Sequence, residues 1–323
     1  MGNNNIFNKA GILAKRFSML LILAVMVLIF TIIKPQYFSA VNFVSVLIQA
    51  SMLGVIATGM TLVMMTGGAD MSVGMVAGLV ALTALYPAVN GQLPFGASLL
   101  LGLALGVGIG AINGICVARL GIAPFVVTLG TMFLAQGMQY LFSGGGMAVS
   151  YGFPRAYLFI GRGDLLGIPM PIVIFAVIFF FFLFLTEFSP LGRYIKSIGN
   201  NQFASDRSGV RIRFYTFLVY VLSGLLASFL GLILGSFQRY ISPDHGSSFL
   251  MDSLLVTLLG KTLLDGKTSV YGTAFGALFL RAFETGLAMI GLPVTVLNIS
   301  KGTLLVLVLI LNLLKQRNPK GRA

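Results

Sequence analysis

Thr66-Gly67-Gly68-Ala69-Asp70-Met71-Ser72-Val73-Gly74 is a polar break between two apolar runs, 42–65 and 71–89. Each run is long enough to be a bilayer span, for which about 20 apolar residues are needed. Ser72 is suited to cap the helix that follows, and Asp70 to sit beside that helix's positive end. Two readings of the break stand side by side. It is a tight turn between helices, or it is a broken-helix element lining a path. The second follows because irregular backbone at membrane depth is tolerated only where protein or water satisfies it.

The rest of the chain fits a membrane setting. Its 323 residues are 57% hydrophobic and 9% charged, against roughly 25% charged in soluble domains, which excludes a soluble enzyme. Forty glycines and 27 phenylalanines suit closely packed membrane helices. Ten apolar segments are predicted: 17–33, 42–65, 71–89, 96–118, 123–142, 169–188, 214–237, 249–260, 270–292 and 294–314. Lys9, Lys15 and Arg16 before the first resemble a signal peptide. That run is too long for one, however, and Lys34-Pro35-Gln36 is no cleavage site, so it reads as a retained span. The expected fold is all-α and polytopic, one transmembrane helical bundle (17–314) within a single domain, 1–323. The polar, glycine-rich stretch 143–168 reads as a loop, and 189–213 as a polar basic segment whose glycines permit a sharp turn into a short helix.

Orientation follows from the basic residues. With the N-terminus inside, ten spans return the C-terminus inside. Fifteen of the 21 basic residues then lie on the cytoplasmic side: Lys9, Lys15, Arg16, Arg119, Arg193, Lys196, Arg207, Arg211, Arg213, Lys261, Lys267, Lys315, Arg317, Lys320 and Arg322. Lys34, Arg155, Arg162 and Arg239 lie outside, and Arg281 and Lys301 fall within spans. The formal charge of +13 is thus accounted for by loops facing the cytoplasm, and no nucleic-acid partner is expected. Gly102, Gly106, Gly110 and Gly114 recur every four residues on one face of the fourth span. Gly224 with Ser228, Gly231 with Gly235, and Gly272 with Gly276 repeat the spacing. Small residues allow close backbone approach between helices in lipid; the same faces are the alternative pore lining.

Motifs for chemistry fail on spacing. Gly260-Lys261-Thr262 and Gly266-Lys267-Thr268 lack the glycine that a phosphate-binding loop needs five positions earlier, where Leu255 and Lys261 stand. Gly108-Ile109-Gly110 lies inside an apolar span with no preceding strand. One cysteine, Cys116, and one histidine, His245, exclude an internal disulfide and any cysteine- or histidine-based metal centre. No catalytic, cofactor-binding or metal-binding residue is assigned. ATP, if it drives transport, binds a separate subunit.

The Thr66–Gly74 signature resembles that of sugar-type ABC importer permeases, the ribose, xylose, arabinose and galactoside group with its autoinducer-2 members. Two further blocks match in order: Leu191-Gly192-Arg193-Tyr194-Ile195-Lys196-Ser197-Ile198-Gly199-Asn200-Asn201 with Ala204, Ser208, Gly209 and Val210, and Leu259 through Ala277. The resemblance spans 42–314. It implies a bacterial inner-membrane subunit that performs no chemistry and works by alternating access. Its partners would be two cytoplasmic ATP-binding cassette subunits or one fused double ATPase, and a periplasmic sugar-binding protein. A second permease chain, identical or different, would complete it. It also implies an ATPase coupling segment within 189–213, carried by Gly192, Arg193, Gly199, Asn200, Asn201, Ala204, Ser208 and Gly209. Lys261 and Asp265 depart from the family pattern, where small residues are usual.

Translocation-path candidates are Gly67, Gly68, Asp70, Ser72, Gly74, Asn113 and Gln136; Gln49 is a further uncharged polar residue suited to sugar hydroxyls. Charges inside spans are functional candidates by default. Arg281 and Glu284, three apart, are placed to form an ion pair on one helical face, with Asp252 and Lys301 on neighbouring spans. Asp244, His245 and Arg239 share an outer loop. The expected function is import of a monosaccharide or small polyhydroxylated solute. Branched-chain amino acid import and ion-coupled secondary transport are the alternatives.

Overall fold

The computed structural model describes residues 20–89, 93–146, 148–149, 154–264 and 266–317. Lys9, Lys15, Arg16, Asp265, Lys320 and Arg322 lie outside them.

Thirteen helices run through the described residues. They are α1 (Leu20–Ile33), α2 (Ala40–Met65), α3 (Val73–Val89), α4 (Phe95–Ala118), α5 (Pro124–Ser143), α6 (Arg155–Arg162) and α7 (Met170–Glu187). The rest are α8 (Pro190–Asn200), α9 (Gln202–Arg207), α10 (Ile212–Gln238), α11 (Ser247–Leu263), α12 (Val270–Met289) and α13 (Val294–Arg317). Six of these, α2, α4, α5, α7, α10 and α13, are long and apolar enough to cross a membrane; α1 and the first part of α3 are shorter apolar helices. A 3-10 helix, Pro35–Phe38, and two-residue strands make the remaining regular structure. Ala148–Val149 pairs antiparallel with Tyr240–Ile241, and Asp164–Leu165 pairs antiparallel with Ile168–Pro169.

α10 is the axis of the bundle. It packs on α4, α2 and α3, while α2 in turn packs on α7, α11 and α12. The glycine ladder of α4 explains the closeness of the main contact. A Cβ at Gly102 would meet Ala84 of α3. One at Gly106 or Gly110 would meet the backbone of Gly224 or Tyr220 on α10, and one at Gly114 the backbone of Phe217. Gly224 returns the contact against Gly106. Gly260, Gly272 and Gly276 do the same between α11 and α12.

Local chemistry sets the element boundaries. Ser39 caps α2 by accepting from the Asn42 backbone N–H at 3.2 Å. The helix ends in two nested turns, Gly68 N–H to the Val63 carbonyl and Gly67 N–H to the Met64 carbonyl, with Gly67 left-handed at φ 85°. This termination needs a glycine at the left-handed position, and the sequence supplies it at the polar break.

The segment 143–168, read from the sequence as a loop, contains α6, and 189–213, where one short helix was expected, contains two, α8 and α9. At 8, 11 and 6 residues these helices carry no apolar run that a span search detects. Their start signals are ordinary ones: Pro190 in the first turn of α8, and Asn201 accepting from the Ala204 backbone N–H at 2.9 Å to cap α9. Half of the Phe179–Phe182 run faces outward, with Phe180 and Phe181 exposed and Phe182 buried.

Candidate functional site

The polar break does not simply turn. Met65 ends α2 beside α8, whereas Gly74, at the start of α3, packs on Gly246 and Leu250 at the start of α11, leaving no room for a Cβ. Residues 66–72 therefore cross part of the bundle as irregular backbone, and the bundle supplies its partners. Asp70, 1% exposed, accepts at Oδ1 from the Ser72 backbone N–H at 3.0 Å and the Ser72 hydroxyl at 2.6 Å. At Oδ2 it accepts from the Ser223 hydroxyl of α10 at 2.8 Å. Asn113 of α4 donates to Ser72 Oγ at 3.0 Å. Ser223 lies eleven residues into α10, about 16 Å along it at 1.5 Å per residue, so the carboxylate sits deep within the bundle.

This cluster joins Asp70, Ser72 and Asn113, three of the path candidates. Together they tie the break to α4 and α10, while the Asn113 carboxamide oxygen is buried without a hydrogen-bond partner among the described residues. Replacing Asp70 by alanine would leave the Ser72 N–H and the Ser223 hydroxyl buried without their acceptor, at about 1–3 kcal/mol. Asparagine keeps one acceptor oxygen for Ser72. The thermal midpoint of the purified chain should therefore fall clearly for Asp70→Ala and much less for Asp70→Asn.

A cavity of about 790 Å³ opens beside the break. Thr66, Gly67, Gly68, Arg119, Phe203, Asp206, Arg213 and Tyr220 are among the residues that line it. Tyr220 also reaches the Ala69 carbonyl through its hydroxyl at 3.4 Å. Among the described residues, then, the cavity reaches the backbone next to Asp70.

All of the predicted coupling residues except Gly192 are exposed along α8, α9 and the turn after them. Arg193, Asn200, Asn201, Ala204, Ser208 and Gly209 are exposed, whereas Gly192, Ile195 and Ile198 face inward. Gly209 is left-handed at φ 77° and turns the chain from α9 towards α10. Exposed Phe203 carries the Arg207 guanidinium over its ring at 4.9 Å. Two glycines set α8 against its neighbours. A Cβ at Gly192 would meet the backbone of Thr186 at the end of α7, and one at Gly199 the Met65 carbonyl and the Gly67 N–H. The end of α8 thus rests directly on the residues where α2 breaks.

Gln136 lies apart from the Asp70 cluster. It donates to Asp244 Oδ1 at 2.6 Å, and the Tyr140 hydroxyl donates to Oδ2 at 2.6 Å, fastening α5 to the loop before α11. His245 packs edge-on against Tyr240, and burial holds its imidazole below the usual value. Gln49 donates to Ser45 one turn earlier on its own helix, at 3.3 Å.

Arg281 and Glu284 meet at 2.5 Å and form half of a larger network. Arg281 also pairs with Asp252 of α11 at 2.8 Å. Lys301 of α13 pairs with Asp252 at 3.0 Å and with Glu284. Arg281 lies over the Phe249 ring at 5.5 Å. Two carboxylates and two cations make the network neutral, and it binds α11, α12 and α13 together. The residues that sequence reasoning missed are Ser223, Tyr220 and the clamp on Asp244. Nothing local marks them, because a serine or tyrosine in an apolar run gains its meaning from a residue 150 positions away.

Residues 42–312 match the family described as branched-chain amino acid transport system / permease component. The chain is 33% identical over 317 residues to the ribose import permease protein RbsC of Escherichia coli (strain K12), covering 96% of this chain and 97% of that protein. RbsC of Bacillus subtilis (strain 168) is 32% identical, covering 90% of each. The autoinducer 2 import system permease protein LsrD of Enterobacter sp. (strain 638) is 33% identical over 303 residues, 90% of each. The matched region contains the Asp70 break, α8 and α9, and the ion network whole, and on this match the chain belongs to the branched-chain amino acid transport system / permease component family.

Proposed function

We propose that this chain is the membrane subunit of an ATP-driven importer for a monosaccharide or a similarly small polyhydroxylated solute. The observation that carries the reading is the end-to-end match to ribose import permease proteins. In this reading ten helices, α1 to α5, α7 and α10 to α13, cross the inner membrane. The end that gathers Arg119, Lys196, Arg213, Lys261 and Lys267 faces the cytoplasm, in keeping with the excess of basic residues there.

ATP-binding cassette subunits, two copies or one fused chain, dock on the exposed face of α8 and α9. Their movement passes through Gly199 to the break at Thr66–Gly68 and opens or closes the cavity below Tyr220. A periplasmic sugar-binding protein delivers solute, and a second permease chain completes the path, along which Gly67, Gly68, Asp70, Ser72, Gly74, Asn113 and Gln136 are the proposed elements. Ion coupling is disfavoured by the bonding pattern. Asp252 and Glu284 are ion-paired, and Asp70 is held by three donors.

Autoinducer-2 import is the second reading, favoured by LsrD relatives of equal identity. Affinity purification in mild detergent, identifying each co-purifying chain and its stoichiometry, tests the assembly. An ATPase with two permease chains is the expected result. The chain alone, moving labelled ribose into vesicles without ATP, would overturn it. Competition of labelled ribose uptake by autoinducer-2 separates the two solutes.

A further inference from the structure

The lysines of the two Gly-Lys-Thr tripeptides have no part in the mechanism above. The fold brings both to one place. Lys261, in the last turn of α11, and Lys267, in the connection to α12, line a cavity of about 430 Å³ together with Lys196 of α8, Glu187, Asn200 and Thr268. Lys196 is neutralised by Glu187 at 2.8 Å. Lys261 and Lys267 make no ion pair among the described residues. Two cations without an ion pair among the described residues repel each other across one small cavity, and an anion between them removes that cost.

The lining also fixes the kind of anion. Lysine ammonium groups are point-charge donors that suit phosphate oxygens, and the Asn200 carboxamide and Thr268 hydroxyl add neutral donors. The volume exceeds what a bare phosphate fills and falls in the range of pockets that hold organic ligands. We propose that this cavity binds a phosphate ester through Lys261 and Lys267.

Its position favours a phospholipid headgroup as the source. The cavity lies at the ends of α7 and α11. Phe188, 74% exposed, and Tyr271, 39% exposed, stand beside it as aromatic residues do at a membrane–water boundary. Basic pockets between helices on the cytoplasmic side hold anionic headgroups. The choice of leaflet rests on the orientation proposed above; binding of phosphate itself does not.

The test uses the full chain in neutral detergent, exchanged into nanodiscs of phosphatidylcholine with or without phosphatidylglycerol. Native mass spectrometry reads the retained lipid. The wild-type chain should retain phosphatidylglycerol with an affinity on the order of thirtyfold above that of Lys261→Gln/Lys267→Gln, the effect of two near-surface cations. Arg211→Gln, which removes an exposed cation outside the cavity, should leave retention unchanged. Inorganic phosphate should displace the lipid. If the chain binds inorganic phosphate with the same dependence on the lysines but retains no phosphatidylglycerol, a soluble phosphate ester is the ligand. Equal retention by wild type and double variant, or equal loss in Arg211→Gln, overturns the proposal, as does binding of neither probe. Lys267→Gln alone, at an exposed position, makes the same test should the double variant not fold.

Discussion

Gly199→Ala is expected to reduce ATP-dependent uptake by about tenfold or more, while the chain still inserts and purifies at wild-type yield. The reason is steric and local. The added Cβ has nowhere to go but against the Met65 carbonyl and the Gly67 N–H, the groups that end α2. Overpacking of this kind costs about 1–3 kcal/mol, and about 1.4 kcal/mol in a barrier is tenfold in rate. The helix is relieved if α8 moves away from the break, which is the motion the coupling reading requires to be controlled. Labelled ribose uptake and ATP hydrolysis, measured together in proteoliposomes with the ATPase and binding protein present, distinguish the two possible faults. Hydrolysis that persists while uptake falls is the signature of lost transmission. Uptake at the wild-type level would remove Gly199 from the mechanism. Gly108→Ala is the matched control, since a Cβ there meets nothing within 4 Å.

Much of this arrangement was legible in the sequence because it is written locally. The apolar runs, the glycine ladder of α4 and the polar break at Thr66–Gly74 each follow from residue type and spacing. Residues 189–213 were legible in outline, as a polar basic stretch whose glycines permit a sharp turn into a short helix. That the stretch holds two helices, α8 and α9, was not, because short amphipathic helices leave no span-length signal. The site was harder for a different reason. Asp70, Ser72 and Asn113 were recognisable as polar residues in apolar surroundings, but Ser223 completes their cluster from a distance of 153 residues. Gln136 had the same local signal as Asn113 and belongs to a separate clamp with Asp244. Polarity inside a span marks a residue as engaged, and only the packing of helices decides with what. The Arg281 and Glu284 pair shows both sides. Its spacing on one helix was sufficient to suggest contact, whereas the pairing of Asp252 with both cations depends on how α11 and α13 flank α12.

That pairing leads to the largest stability effect expected in the molecule. Asp252, 1% exposed, accepts from Arg281 and Lys301 at once. Asp252→Ala leaves two cations facing Glu284 alone, and removal of one partner from a buried ionic network costs about 3–5 kcal/mol. The thermal midpoint in detergent should fall accordingly. Adding Lys301→Met restores neutrality, because the Arg281–Glu284 pair at 2.5 Å remains. The methionine fills the place of the lysine stem. The double variant should therefore be more stable than Asp252→Ala alone, recovering more than half of the loss, a non-additivity that only charges in direct contact produce. If the two substitutions instead add, Asp252 and Lys301 are not coupled and the network does not hold α11 to α13. If they compensate and uptake also returns, the charges serve to bind three helices into one body. In that event the carboxylates carry no proton during transport, and the energy for import must enter through α8 and α9.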